Sequence, residues 1–276
     1  MRKLRVLLFE TPRDPYYNLA FEEALYLAYD KTPGEDPVMR IWRNANAVVI
    51  GYFQVAEEEV HLNVAQEIGA KVVRRFTGGG AVYHDLGNIN YVVITKNTGI
   101  KSTEEIYQYL LEGAINALKL LGVESRLENI NDVVANNRKV SGTAATFTPR
   151  TLFLHGSLLV STDLSKLSRV LRISKKKLMD KKVSSVKYRV ALLEQVLGRR
   201  IGYWEVINAF VEGYSRLLDA KPYYDMPSRL ELEIADKLYE EKYTRREWNL
   251  ERKPASYFRE LYREIDEIIE SYVESR

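Results

Sequence analysis

Hydrophobic residues recur along this chain with two different periods, and each change of period marks a predicted element. Arg5 to Glu10 reads as a first strand. Leu19, Ala20, Ala24, Leu25, Leu27 and Ala28 then recur at helical spacing, with Asn18 as the expected cap and Pro33-Gly34 as the stop. Two short apolar runs follow, Val38 to Trp42 and Ala47 to Ile50, and Asn44-Ala45-Asn46 between them predicts a hairpin. Val60, Val64, Ala65 and Ile68 line one face of a helix expected over Glu57 to Ala70. Ser102 and Glu105 form a capping box ahead of a long helix to about Leu121, stopped by Gly122.

Period two returns in Val123 to Leu127, Ile130 to Ala135, the small and polar alternation from Arg138 to Ala145, and Thr151 to Ser161. Asp163 caps a helix to about Leu171, and two more helices are expected at Tyr203 to Leu218 and Ser228 to Tyr239, with Pro222 and Pro227 bracketing a linker. Pro254 starts a last helix, whose Phe258, Leu261, Tyr262, Ile265, Ile268, Ile269 and Tyr272 form an apolar stripe. That stripe buries either against its own domain or against a partner protein. Together these elements predict an α/β (α+β) chain, with a mixed, largely antiparallel sheet flanked by helices.

Chemistry concentrates between Val72 and Tyr91, VVRRFTGGGAVYHDLGNINY. Gly78-Gly79-Gly80 between two β-prone runs reads as a hairpin turn or as a backbone cradle for a ligand. Arg74 and Arg75 beside exposed N–H groups suit an anion such as a phosphate ester. Neither GxxxxGK[ST] nor a helix-opening GxGxxG is present, so the common nucleotide folds are not indicated.

Composition narrows the class. Of 276 residues, 46% are hydrophobic and 29% charged, which describes a globular protein, and a net charge of +3 argues against a general polyanion binder. The Lys175 to Lys187 run reads as a solvated helix and loop, since aromatic partners for nucleic-acid bases are sparse. With no cysteine, disulfides, thiolate ligands and thiol nucleophiles are excluded. No apolar stretch reaches bilayer-spanning length and the first residues show no cleavage signal, so a cytoplasmic protein is expected, without a membrane or nucleic-acid partner. The three histidines and their neighbours lack zinc-ligand spacing.

RRFTGGGAVYHDLGNINY at 74–91 resembles the signature of lipoate-protein ligases, within a wider fold family that includes biotin-protein ligases and octanoyltransferases. RNANAVVIG at 43–51, NDVVANNRKVSGTA at 131–144, HGSLLVSTDLSKL at 155–167 and the run at 175–190 are similar to further segments of those ligases. The resemblance covers roughly four-fifths of the chain. It implies a catalytic domain over residues 1–250 and a C-terminal helical extension over 251–276, too short for the accessory domain that follows an EWN-like segment in similar bacterial enzymes.

The implied reaction is activation of lipoate by ATP, then transfer of the lipoyl group to a lysine on the lipoyl domain of a 2-oxoacid dehydrogenase or on a glycine-cleavage carrier. A small accessory protein is an expected partner. Lys139 is the implied catalytic residue. Arg74 is the implied phosphate or adenylate contact, with Arg75 structural or exposed. Thr77, Gly78, Gly79, Gly80, Val82, Asn131, Asp132 and Gly142 are implied to line the nucleotide or lipoyl site. Asp132 would hold Mg²⁺, although a turn role is open for it and for Asn131. His155 matches a position beside the acyl pocket, and His84 is either a site residue or a buried hydrogen-bonding one. The octanoyltransferase route needs a cysteine that this chain lacks, and its glycine loop departs from the biotin-ligase pattern. Two alternatives remain: transfer from preformed lipoyl-adenylate, and a non-catalytic binding protein.

Overall fold

A computed structural model describes residues 2–32, 36–172 and 190–275. The Pro33-Gly34 stop and the lysine run at 175–187 lie outside the described residues. Eleven strands among them form two sheets. The larger has the order β11-β1-β2-β6-β10-β9-β8-β7, and the smaller β4-β3-β5. In the larger sheet β1 (Arg2–Leu7) runs parallel to both neighbours, β11 (Ala220–Asp225) and β2 (Val38–Trp42), and the remaining pairings are antiparallel. The expected linker between the two prolines is thus a strand. Pro222 is tolerated there because β11 lies at the sheet edge, where a missing N–H costs no ladder bond.

The first helix, α1 (Pro15–Lys31), is capped by Asp14, whose carboxylate accepts from the N–H groups of Tyr16 and Tyr17, and not by Asn18. Asp followed by proline at the first helical position is the stronger start, since proline brings a helical φ and no N–H to satisfy. Asn18 is fully buried, and its amide joins Thr11, Arg43 and Asn44.

Two predicted hairpins are not hairpins. β2 and β3 (Asn46–Ile50) belong to different sheets, because both strands are buried on both faces and each needs its own neighbours. Likewise β4 (Lys71–Arg74) and β5 (Val82–Asp85) do not pair with each other. They flank β3, one parallel and one antiparallel. Residues 75–81, with the three glycines, therefore cross the end of β3, a span of about two strand spacings, roughly 10 Å. The predicted 57–70 helix is also split, into α2 (Ala56–Glu59) and α3 (Leu62–Glu67), where Val60 leaves helical geometry to bridge Leu171.

Alternation along the strands sends side chains to two cores. Ile89, Tyr91 and Val93 of β6 (Asn88–Lys96) meet α4 (Thr103–Leu120), capped by Ser102 and Glu105 as its sequence predicts. Beyond β7 (Arg126–Glu128), β8 (Asp132–Ala135), β9 (Arg138–Phe147) and β10 (Thr151–Leu159) complete the sheet. After α5 (Leu164–Val170) and α6 (Leu193–Leu197), α7 (Tyr203–Leu218) packs on α4. Val92 and Ile94 face the second core with α1, α8 (Arg229–Leu238) and Trp248 of the short α9 (Arg246–Asn249). The last helix, α10 (Arg259–Glu274), buries Leu261, Ile265 and Ile269 in that same core, so its stripe is covered from within the chain. No helix among the described residues is long and apolar enough to cross a membrane.

Candidate active site

The glycine loop leaves β4 through two buried arginines. Arg74, expected to touch a phosphate, instead donates to five backbone carbonyls: Nε to Trp248, one terminal nitrogen to Gly51, Tyr52 and Gln54, and the other to Asn249. Its side chain is fully buried and its fork is committed to protein. Arg75 is also buried, and its guanidinium binds the carbonyls of Gly78 at 2.6 and 3.0 Å, Gly80 at 2.9 Å and Val49 at 3.4 Å. Burial lowers both guanidinium pKa values to about 10, so both stay charged at neutral pH. Gly79 has φ +92°, and a Cβ there would lie 2.7 Å from the Arg75 guanidinium. A Cβ on Gly51 would meet the Gly79 carbonyl at 2.2 Å, so two chain segments touch at the loop. Gly78 lies under the exposed ring of Phe53, and Val82, half-buried, begins β5 behind the loop.

Strand β9 faces this loop: a Cβ built on Gly79 would come within 3.5 Å of the Ala144 methyl. Toward the start of the same strand, Lys139 folds back across it and pairs with Asp132 of β8 at 2.5 Å. A register shift between Val133 and Val134 brings Asp132 opposite Gly142. Gly142 makes the lysine's course possible, since a Cβ there would lie 2.5 Å from Nζ. Asn131 is stitched to the same strand, its amide donating to the Thr143 carbonyl and its carbonyl accepting from the Thr143 hydroxyl.

The third part lies toward α1. Buried Glu22 accepts from Trp42 Nε1 at 3.1 Å and from Nδ1 of His155. With Nδ1 donating, Nε2 of a neutral His155 is an acceptor, and it meets the Thr77 hydroxyl at 2.7 Å. Phe76, Phe153 and Tyr26 pack around this imidazole as an apolar wall. Thr77 thus joins the glycine loop to a buried carboxylate through one ring.

His84 stands apart from that chain. It is buried between the Asn44 amide, which donates to Nδ1, and Ser157, whose hydroxyl donates to Asn88 and whose oxygen accepts from Nε2. Burial, with the charge of Arg75 nearby, lowers its pKa to about 3, so it is neutral. Its partners make it part of the packing beneath the loop.

Sequence reading missed Glu22, Trp42, Trp248 and Asn249. For Glu22 a signal existed, two adjacent carboxylates inside the apolar run LAFEEAL of a helix. Glu22 and its neighbour Glu23 are both buried, and Glu23 holds Lys242 and two tyrosines on the side of the C-terminal helices. Among the described residues no three carboxylate or histidine groups gather as a metal cage. Asp132 alone is a fit for a cation that keeps most of its ligands from water and phosphate, as Mg²⁺ does.

Comparison with known proteins decides the family. A model of the lipoyl protein ligase A/B catalytic domain matches residues 14–215. The chain belongs to that family. Within the lipoyl protein ligases, it is 36% identical over 256 residues to lipoate-protein ligase A subunit 1 of Thermoplasma acidophilum, covering 89% of this chain and 96% of that one. A solved structure of a bipartite lipoate-protein ligase and its E2 lipoyl domain from the same organism superposes with a TM-score of 0.84 at 35% identity, covering 92% of this chain and 98% of that one. A lipoate-protein ligase A bound with ATP gives 0.81 at 33% identity, with 91% and 99% covered. A T. acidophilum protein with bound lipoic acid gives 0.80 at 33%, again covering 91% and 99%.

Proposed function

We infer that this chain is a lipoate-protein ligase, which activates lipoate with ATP and transfers the lipoyl group to a lysine of a lipoyl domain. The observation that carries the reading is Lys139, lying over Gly142 on Asp132 while its strand faces the glycine loop. In the first step a lipoate carboxylate oxygen attacks the α-phosphorus of ATP and pyrophosphate leaves. In the second, an acceptor lysine amine attacks the carbonyl carbon of the mixed anhydride, AMP leaves, and the amine's proton is lost to solvent or phosphate.

Both steps build negative charge on oxygen, and a single ammonium group can meet it twice. Lys139 donates to the non-bridging α-phosphate oxygen and the acyl oxygen, and such a donor contributes on the order of 100- to 1000-fold in rate. To do so it leaves Asp132, whose freed carboxylate would hold Mg²⁺ together with ATP phosphate oxygens. Thr77 and the glycine loop receive the phosphate end. The wall of Phe76, Phe153 and Tyr26 suits an acyl chain.

The partners are lipoyl domains of 2-oxoacid dehydrogenases or of the glycine-cleavage carrier, together with a separately encoded accessory subunit. Near-complete coverage of a subunit from a bipartite ligase supports the accessory chain. The test is lipoate-dependent pyrophosphate release from ATP, followed by addition of an apo lipoyl domain. Release and a lipoylated acceptor are expected. Transfer from supplied lipoyl-adenylate with no pyrophosphate release, even in the presence of an accessory subunit, would overturn the ATP step and leave a transferase.

A further inference from the structure

The hydrogen-bond chain behind Thr77 has no part in the two steps written above. Nδ1 of His155 donates to the Glu22 carboxylate, whose other oxygen accepts from Trp42, and Nε2 meets the Thr77 hydroxyl at 2.7 Å. In that tautomer the hydroxyl donates to the ring, and the Thr77 oxygen keeps lone pairs for a further donor. A hydroxyl, an imidazole and a buried carboxylate in this order can take up a proton at the outer end and hold it on the ring.

His84 shows, in the same molecule, how an imidazole that only packs is held. Its partners are an amide and a hydroxyl, both neutral. His155 instead backs onto Glu22, which is 1% exposed, and a carboxylate is costly to bury. A neutral acceptor would suffice to fix the ring. A carboxylate also stabilises the imidazolium that forms when the ring gains a proton.

Placement on the sheet is the second observation. His155 lies directly opposite Ala144 in the β9–β10 ladder, and opposed residues share a face. The glycine loop covers that face at Ala144, and Lys139 lies over Gly142, two residues back along the same strand. The ammonium and imidazole positions are thus offset by roughly 7 Å along the strand and 5 Å across it. An acyl carbon between them has a cation on one side for its oxygen and a proton acceptor on the other for an incoming nitrogen.

We propose that Thr77, His155 and Glu22 are a proton relay for the transfer step. The α-phosphate is joined through oxygen to the acyl carbon, so a hydroxyl that meets one lies beside the other. A neutral acceptor amine attacks the acyl carbon of lipoyl-adenylate and a C–N bond forms. As the bond from carbon to the AMP oxygen breaks, the surplus proton on nitrogen passes to Thr77 Oγ1, whose own proton passes to Nε2 of His155. The imidazolium, paired with Glu22, returns that proton to solvent after AMP departs. Thr77 is the catalytic group that meets the amine, and His155 and Glu22 act through it. This assignment rests on the ligase reading above and gives the amine's proton its first acceptor within the chain.

The test measures two rates for the ligase with its accessory subunit: pyrophosphate release from ATP and lipoate, and single-turnover transfer from supplied lipoyl-adenylate to an apo lipoyl domain. His155→Gln, Thr77→Val and Thr77→Ser are compared with the unaltered chain, and the melting temperature of each is recorded. His155→Gln and Thr77→Val are expected to slow transfer about 100-fold, as loss of a general base does, and pyrophosphate release by no more than about tenfold. Thr77→Ser keeps the hydroxyl and should keep most of the transfer rate. Transfer at the unaltered rate in Thr77→Val overturns the relay whatever His155→Gln does, so a variant that fails to fold does not rescue it. Equal losses in the two steps also overturn it, because they mark a defect of the whole pocket. An unaltered chain that transfers from lipoyl-adenylate yet releases no pyrophosphate refutes the ATP-using reading, and the relay is then decided by the Thr77→Val and Thr77→Ser transfer rates alone.

Discussion

The indole Nε1–H of Trp248 donates to the carbonyl of Arg74 at 2.8 Å, and Nε of Arg74 donates back to the carbonyl of Trp248 at the same distance. Asn249 adds two further bonds, both donated by Arg74, its side-chain oxygen accepting from the Arg74 N–H and its carbonyl from the guanidinium. The C-terminal segment is thus a structural part of the glycine loop. Trp248→Phe keeps the ring and removes one donor, leaving a buried carbonyl short of a partner, which costs about 1–3 kcal/mol. Urea unfolding should show that loss, with a higher ATP KM in the folded fraction.

Lys139→Ala should lower lipoate-dependent pyrophosphate release about 100- to 1000-fold. Gly142→Ala should lower it in the same direction, since the new methyl occupies the space that Lys139 crosses. Because both act on one ammonium group, the double variant should be little worse than Lys139→Ala alone. Additive losses in single-turnover kinetics would show that Gly142 acts on something else.

Glu22→Gln leaves one acceptor oxygen where Trp42 and His155 both donate to a carboxylate. The amide NH₂ would face one of those donors, so the variant should unfold about 1–3 kcal/mol more easily. Imidazole nitrogen shifts should report a changed His155 tautomer, and the lipoate KM should move more than the ATP KM.

His84 has a pKa of about 3 in the fold against 6.5 when free. The unfolded chain therefore binds a proton that the folded chain refuses. The stability contributed by this neutral ring is complete above pH 6.5 and is lost progressively as pH falls toward 3, with a slope of up to about 1.4 kcal/mol per pH unit. His84→Gln should be less stable near neutrality and flatter with pH between 6.5 and 3 in chemical denaturation.

Ile130 has φ +77° in the tight turn between β7 and β8, and its side chain is exposed. A β-branched residue in the left-handed region stores about 1–3 kcal/mol of strain. Ile130→Gly should raise the melting temperature, a direction seldom seen for a glycine replacement.

Most elements were legible because apolar periodicity records which face is buried. Ser102-Glu105 and the Leu261, Ile265 and Ile269 stripe show this directly, each matching its predicted helix. Pairing partners were not legible. Val38 to Trp42 and Ala47 to Ile50 are apolar throughout, so nothing in either run distinguishes a neighbour in the chain from one far away. The site was half visible. Lys139, Gly142 and Thr77 carry small or polar groups in a strand or loop, where such residues stand out. Glu22 and Trp248 look like ordinary helix residues until burial and hydrogen bonding reveal them. Arg74 misled for the opposite reason, since a guanidinium in a glycine-rich motif invites an anion and the sequence does not show that carbonyls occupy it.

Arg74 and Trp248 are 174 residues apart. At 5–20 residues per second, a ribosome needs roughly 10 to 35 s to add Trp248 after Arg74. A nascent or prematurely ended chain can hold the whole sheet and still lack the strap that fixes its glycine loop. Assembly of the glycine loop is therefore coupled to the arrival of a tryptophan made long after β4 itself.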